Sequence, residues 1–308
     1  MARIVKLELV QGNKMNILDH VNLGLSLSGC CDSSIDSPTD AVRAAYEYLN
    51  KGLINSVEVF MTGHPPRKRQ NIGPWDYDSK LIAEMKEALA PFPHKGAHIP
   101  FAFVNLASLN PGIRDESYRQ MVLSLEIASQ LSMEYVTTHP RFGTLDILSK
   151  KEEWEIWLDS YSRLAEKARE LGVVLTIENG DRLSFEDCAD MVREIHSPFF
   201  AMTYDTGHAN LEGNKDGKYR KYKSLPEFTE AERDCFKNIH LHDNHLSKGD
   251  EHLPPGKGDI DFDSVFKALL KDSPPKFIMT LEFKWDGLEY FFGYFRQVLE
   301  KQFKEFLI

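Results

Sequence analysis

The stretch VVLTIENGDRLSFEDCADMVREIHSPFFAMTYDTGHAN, residues 173–210, holds the unit from which the rest of the chain can be read. Residues 173–178 form a short apolar, β-branched run that ends on the carboxylate of Glu178. The segment 184–195 then has apolar residues at helical spacing behind Ser184, a residue suited to cap a first turn. A second apolar run, 200–205, again ends on an acid, Asp205, with His208 three residues on. Strand, helix and strand in succession signal parallel β/α architecture.

Outward from this unit the same alternation runs from about residue 21 to the end. Strand-like runs fall at 21–27, 56–60, 95–99, 135–139, 173–178, 200–205, 238–243 and 276–283. Helical segments separate them: AVRAAYEYL behind Ser37-Pro38, SYRQMVLSLEIASQL, EEWEIWLDSYSRLAEKAREL with Gly172 just past its end, and LEYFFGYFRQVLEKQFKEFL at the close. Eight βα units in one chain are best satisfied by a closed barrel, because closure removes both sheet edges. A doubly wound open sheet would carry a glycine-rich turn after its first strand, and none is present. The expected fold is a single-domain (β/α)₈ TIM barrel over residues 1–308, with 1–20 as a leader before the first strand.

Composition agrees with a globular protein: 308 residues, 42% hydrophobic and 27% charged. No signal-peptide pattern opens the chain, and no run approaches the roughly 18 apolar residues that cross a bilayer, so a cytoplasmic location without membrane contact is expected. Cys30, Cys31, Cys188 and Cys235 form no CxxC pair and read as reduced thiols without a metal role. The net charge of −10 argues against non-specific coating of nucleic acid.

In such barrels chemistry collects at the C-terminal strand ends. There the sequence places His98, His139, Glu178, Asp205 followed by His208, His240 with His242, and Glu282. Burying Glu178, Asp205 and Glu282 without partners would cost several kcal/mol each, at the order of magnitude for uncompensated charges. No arginine or lysine occupies a neighbouring strand interior, which leaves metal ions as the source of positive charge. The loop after the seventh strand adds Asp250 and His252, whose alternate spacing turns both the same way in extended chain. Imidazoles and carboxylates without thiolates suit Zn²⁺, Mn²⁺, Co²⁺ or Fe²⁺. The donors exceed the need of one tetrahedral ion, which suggests several ions sharing a carboxylate.

These motifs, taken in order, resemble the superfamily of xylose-isomerase-like barrels, which includes sugar isomerases, epimerases and the endonuclease IV type of abasic-site nuclease (AP endonuclease family 2). The resemblance covers about 21–300. It implies a one-ion core of Glu178, Asp205, His240 and Glu282 in both branches. In the endonuclease IV branch it implies three zinc ions: the first on His98, His139 and Glu178, the second on the core with Glu178 shared, the third on His208, Asp250 and His252. The spacings D-x-x-H, H-L-x-D and D-x-H ahead of G-x-G-x-I carry that branch. The implied activity is hydrolysis of a phosphate ester or phosphodiester, with water activated between ions and Glu178 and Glu282 as catalytic carboxylates; an abasic-site DNA nuclease is its most specific form. The alternative is a sugar or sugar-phosphate isomerase or epimerase with one divalent metal, in which Glu178 and Glu282 form an acid/base pair.

Some features depart from the nuclease pattern. That family carries a DNA-approaching histidine in its first strand, where this chain has Gly24-Leu25-Ser26-Leu27-Ser28. Glu58 in the second strand matches many sugar-handling relatives, and an inward Glu can equally be structural. Two basic loops favour phosphate instead: 64–69, with Arg67 and Arg69, and 215–223, with Lys218 and Arg220. With His242 and Lys257 these four are the expected contacts of a phosphate-containing substrate.

Overall fold

In the computed structural model, residues 17–30, 35–63, 72–144, 146–215, 217, 219–271 and 277–306 are described. Eight parallel strands close into a barrel in chain order: β1 (Asn22–Ser26), β2 (Ser56–Phe60), β3 (His94–His98), β4 (Tyr135–Thr138), β5 (Val174–Glu178), β6 (Phe200–Asp205), β7 (Phe236–Leu241) and β8 (Ile278–Leu281). The seam is closed by β1 on β8, with Asn22 opposite Ile278 and Leu25 opposite Leu281. The single-domain (β/α)₈ barrel expected from the alternation is therefore the fold. Most of the leader lies outside the described residues, as does the basic loop 64–69 with Arg67 and Arg69, and Lys218.

The helices between strands are α1 (Pro38–Ala44), α2 (Tyr46–Asn50), α3 (Ser79–Leu89), α4 (Pro111–Gln130), α5 (Lys150–Leu171), α6 (Phe185–Ile195), α7 (Thr206–Asn210), α8 (Leu225–Glu232), α9 (Phe262–Leu269) and α10 (Leu288–Phe306). Their ends follow the local chemistry. Ser37 caps α1 ahead of Pro38, and Ser149 with Glu152 and Ser184 with Asp187 form capping boxes on α5 and α6. Each such cap contributes about 1 kcal/mol. Gly172 ends α5 at φ 71°, a left-handed turn that suits glycine. No helix among the described residues is long and apolar enough to cross a membrane.

Strand periodicity divides the barrel into an apolar outer and a polar inner face. Val57, Val136, Leu175, Ile177, Met202, Ile239 and Met279 are buried beneath the helices. The alternate residues point inward, and they are Ser56, Glu58, Tyr135, Thr137, Thr176, Thr203, Asn238 and Thr280, all fully buried. This interior is tolerated because it is hydrogen-bonded: Thr203 Oγ1 lies 2.9 Å from Thr137 Oγ1 and 2.7 Å from Thr176 Oγ1, and Tyr135 donates to Glu58 across 3.0 Å. Gly96, paired with Tyr135, makes room for that ring, since a Cβ there would sit 2.2 Å from it.

Strand bounds differ from the sequence expectation mainly at β7 and β8. The strands end at Leu241 and Leu281, with a last hydrogen bond from Glu282 N to Leu241 O (3.2 Å). His242 and Glu282 therefore lie just past the strands, where the backbone turns from the sheet toward the active end.

Candidate metal centre

Each donor is held at the mouth of the barrel by an identifiable local structure. Asp205 caps α7, its Oδ1 accepting from His208 N at 2.7 Å, so the D-x-x-H spacing puts acid and histidine on one helical turn. The loop bearing Asp250 and His252 is folded around Asp243. That carboxylate accepts backbone N–H groups from Asn244 (2.9 Å), Gly256 (3.0 Å), Gly258 (2.8 Å) and Ile260 (3.2 Å). Gly258 is required by close approach, because a Cβ would fall 2.4 Å from Asn244 O. A backbone pair between Asp243 and Leu253 (2.7 and 2.8 Å) then brings His252 over Glu282, whose carbonyl lies 2.8 Å from His252 Nδ1.

The donors converge in three groups, in each of which the ligand atoms lie within 4.8 Å of one another: His98, His139 and Glu178; Glu178, Asp205, His240 and Glu282; and His208, His242, Asp250 and His252. Glu178 belongs to two groups through different oxygens. Its Oε2 is 3.4 Å from His98 Nε2 and 3.2 Å from His139 Nε2, while Oε1 is 3.2 Å from His240 Nδ1. His240 Nδ1 also lies 2.9 Å from Glu282 Oε2. In the third group Asp250 Oδ2 lies 3.2 Å from His252 Nε2 and 3.5 Å from His208 Nε2.

The remaining ring nitrogens are mostly committed to protein acceptors. His98 Nδ1 faces Ile99 O (3.2 Å), His208 Nδ1 faces Asn179 O (3.0 Å), His240 Nε2 faces Glu58 (3.1 and 3.2 Å), and His242 Nε2 faces Asp205 (3.0 Å). An imidazole that donates one N–H this way offers its other nitrogen as a lone pair, the arrangement that orients metal-ligating histidines. Correspondingly, Glu178 Oε2, His240 Nδ1 and His242 Nδ1 are buried without a hydrogen-bond partner. These orphaned atoms inside N/O donor groups fit divalent cations of the zinc or manganese kind.

Electrostatics describe the protein without such ions. Burial opposes charge on His240 and on His208, yet the surrounding carboxylates outweigh it: Glu178, Glu282 and Glu58 for His240, and Asp205, Asp250 and Glu178 for His208. Both imidazoliums are held well above the usual histidine range. Burial would raise Glu178, but His139 and His240 hold it well below the carboxylate range. Imidazoliums thus neutralise acids that cations would otherwise neutralise.

Above the donors lies a cavity of about 580 Å³ walled by Phe60, Phe101, Arg141, Asp181, Phe283 and Lys284. Seven of the nine expected donors line it, while Asp205 and His240, grouped with Glu178 and Glu282, are fully buried. Of the expected substrate contacts, the three within the described residues, His242, Arg220 and Lys257, do not line it. His242 is fully buried within the third donor group, its ring stacked on His252 at 3.9 Å, where it cannot reach a substrate directly. Arg220 turns to α6, held by Glu186 (3.3 Å) and Asp187 (3.0 Å), and lines a separate cavity. Lys257 sits 3.9 Å above the Tyr290 ring and does not line the bowl. Sequence reasoning overlooked Arg141, which directly follows His139-Pro140, and left Glu58 open. The H-x-H spacing of His240 and His242 was the available signal that both belong to the donor set.

The family model for the xylose isomerase-like TIM barrel matches residues 52–302. The uncharacterized protein MJ1311 of Methanocaldococcus jannaschii is 30% identical over 184 residues, 56% of this chain and 58% of the relative, so the match spans less than two thirds of that protein's length. Among solved structures, a D-tagatose 3-epimerase-like protein aligns with TM-score 0.73 at 22% identity, covering 92% of this chain and 99% of that one. The TTHB071 protein from Thermus thermophilus, soaked with ZnCl₂, aligns with TM-score 0.62 at 19% identity, covering 92% and 98%. L-ribulose, D-allulose and D-psicose 3-epimerases also match. At these identities the structural likeness shows the fold.

Proposed function

The chain belongs to the xylose isomerase-like TIM barrel family, and from that premise we propose that it is a divalent-metal-dependent enzyme that moves a proton beside the carbonyl of a small sugar, as an isomerase or epimerase. The observation that carries this is the convergence of Glu178 and Glu282 on one nitrogen of His240, at 3.2 and 2.9 Å, with Asp205 in the same donor group at the floor of the bowl. A divalent ion held by this quartet would polarise the carbonyl oxygen and fix its position. Glu178 on β5 and Glu282 after β8 reach the bowl from different walls, so one can take a proton from carbon while the other returns it. Phe60, Phe101 and Phe283 supply apolar wall to the same bowl. The bowl's volume suits a small molecule. The names of the matched structures, a D-tagatose 3-epimerase-like protein and an L-ribulose 3-epimerase, support the carbohydrate reading over a nuclease.

A second reading, hydrolysis of a phosphate ester at a multinuclear centre, is favoured by the two further donor groups and by the division of Glu178's oxygens between groups. Its abasic-DNA form draws no support from Arg220, which is tied to α6. Metal content after loading with Zn²⁺ or Mn²⁺, followed by assay on ketoses and on phosphate esters including abasic duplex, separates the two. Ketose turnover that depends on an ion at the quartet, whatever the occupancy of the other two groups, is the expected result. Three ions with hydrolysis and no ketose turnover would overturn it in favour of the second reading.

A further inference from the structure

Two cations stand on the rim of the bowl and take no part in the donor groups: Arg141, just past β4, and Lys284, just past β8. The strand order puts β4 and β8 on opposite sides of the barrel, so the two face the cavity from opposing walls. Their surroundings differ from those of most other basic residues. Arg119, Arg182, Arg193 and Arg220 are each held by a carboxylate. Among the described residues neither Arg141 nor Lys284 has an ion-pair partner.

Arg141 is positioned by aromatic faces instead. Its guanidinium lies 5.6 Å from the centre of the Phe101 ring and 6.0 Å from that of Phe142. Phe101 in turn packs 4.4 Å from the His139 ring and 5.0 Å from the His98 ring. A continuous stack therefore runs from the first donor group to a planar cation at the cavity edge whose N–H donors have no partner among the described residues. A guanidinium fork of this kind matches the oxygens of a phosphate, and stacking on a ring removes part of the rotamer freedom that binding would otherwise have to restrict. In a chain of net charge −10, two cations on the wall of the bowl with no ion-pair partner among the described residues mark the anionic end of its ligand.

We propose that the substrate is a phosphate monoester of a small polyhydroxy compound, and that Arg141 selects it by binding the phosphate, with Lys284 closing from the opposite wall. This rests on the reading of the bowl as a small-molecule site and holds for either reaction considered above. The test is a binding measurement. Metal-loaded protein is titrated calorimetrically with D-fructose, D-fructose 6-phosphate and D-gluconate, alongside Arg141→Gln and Arg141→Lys, with metal content and melting temperature recorded for each protein. The phosphate ester should bind at least ~10-fold more tightly than fructose, as charge-assisted bidentate contacts allow. Arg141→Gln should remove that preference at unchanged metal content, and Arg141→Lys should restore part of it. A phosphate ester bound no better than fructose, a preference that survives in Arg141→Gln, or gluconate bound as tightly as the phosphate would each overturn the assignment. An Arg141-dependent preference with no isomerisation or epimerisation of ketoses or ketose phosphates would leave this inference standing and sink the isomerase reading; turnover of neutral ketoses without the preference would do the reverse.

Discussion

Glu58→Gln should leave the barrel folded and weaken metal binding at the quartet. Glu58 is fully buried in β2, and its Oε2 accepts from Tyr135 OH and Asn238 Nδ2, each at 3.0 Å. Its Oε1 lies 3.1 Å from His240 Nε2. A carboxylate in that place requires a proton on Nε2, which leaves Nδ1 as the nitrogen that can offer a lone pair toward Glu178 and Glu282. In the glutamine variant the amide oxygen keeps Tyr135 and Asn238 only by sitting at the Oε2 position. The amide NH₂ then faces His240 Nε2, donor against donor, and the strain is relieved when the imidazole proton moves to Nδ1. The stability loss is that of one charge-assisted hydrogen bond, ~1.5–3 kcal/mol, which a domain of ordinary stability survives. Loss of such an outer partner weakens metal binding by roughly 10–100-fold. Competition with a chelator gives the Zn²⁺ or Co²⁺ dissociation constants, and the Co²⁺ absorption spectrum reports the imidazole ligand. A folded Glu58→Gln protein with wild-type affinity and spectrum would refute the reasoning.

Other consequences follow from the same geometry. His208→Ala and Asp250→Ala each remove a donor from the third group and should lower bound metal by one equivalent in elemental analysis, relative to a wild type that fills that group; unchanged content in both would rule the group out. Gly207→Ala would place a Cβ 2.0 Å from His242 Cε1, so it should displace that ring and lower metal content in the same measurement, and retention of full content would show that the ring is not a donor. Burial disfavours charge on His252, but Asp250 and Glu282 push it up to about 9, and His208 and His240 are raised as well. Metal binding at pH 7 must therefore displace protons, and affinity should fall about tenfold for each unit by which pH is lowered, per proton displaced; calorimetry in buffers of different ionisation enthalpy that showed no proton release would contradict this. Away from the bowl, hydrogen bonds from Arg182 hold Glu153 down at about 2 from an ordinary 4.5, outweighing its burial. A folded-state value below the unfolded one gives stability that is complete above pH ~4.5 and lost as pH falls toward ~2. Glu153→Gln should flatten the melting-temperature profile across that window, and profiles parallel to wild type would be evidence against the pair.

The barrel was legible because its strands are buried on both faces. An apolar run interrupted by a single acid, as at Glu178 and Glu282, stands out in such a strand, and the common direction of the strands forces those acids to one end. Exact strand limits were less legible, because they depend on which neighbours supply hydrogen bonds: the run 276–283 is paired over Ile278–Leu281. Roles that depend on loop folding were hidden further. Nothing local to Arg220 says that α6 will offer it Glu186 and Asp187, or that Lys257 will find Tyr290. His242 was legible as a partner of His240 in direction. Its place among the donors follows from the turn that carries His252 back over it.

If both donor groups that contain Glu178 hold cations, its division between them would make the centre a linked system. A cation on the His98 and His139 side draws on Oε2 of the same carboxylate whose Oε1 serves His240, so occupancy of either position alters the charge presented to the other. Thermodynamic reciprocity requires that the first position change the affinity of the second by the same factor as the second changes the first. Titration of the centre would then yield stepwise constants belonging to the pair, and a substitution at Glu178 would erase the interaction between the steps together with the steps themselves.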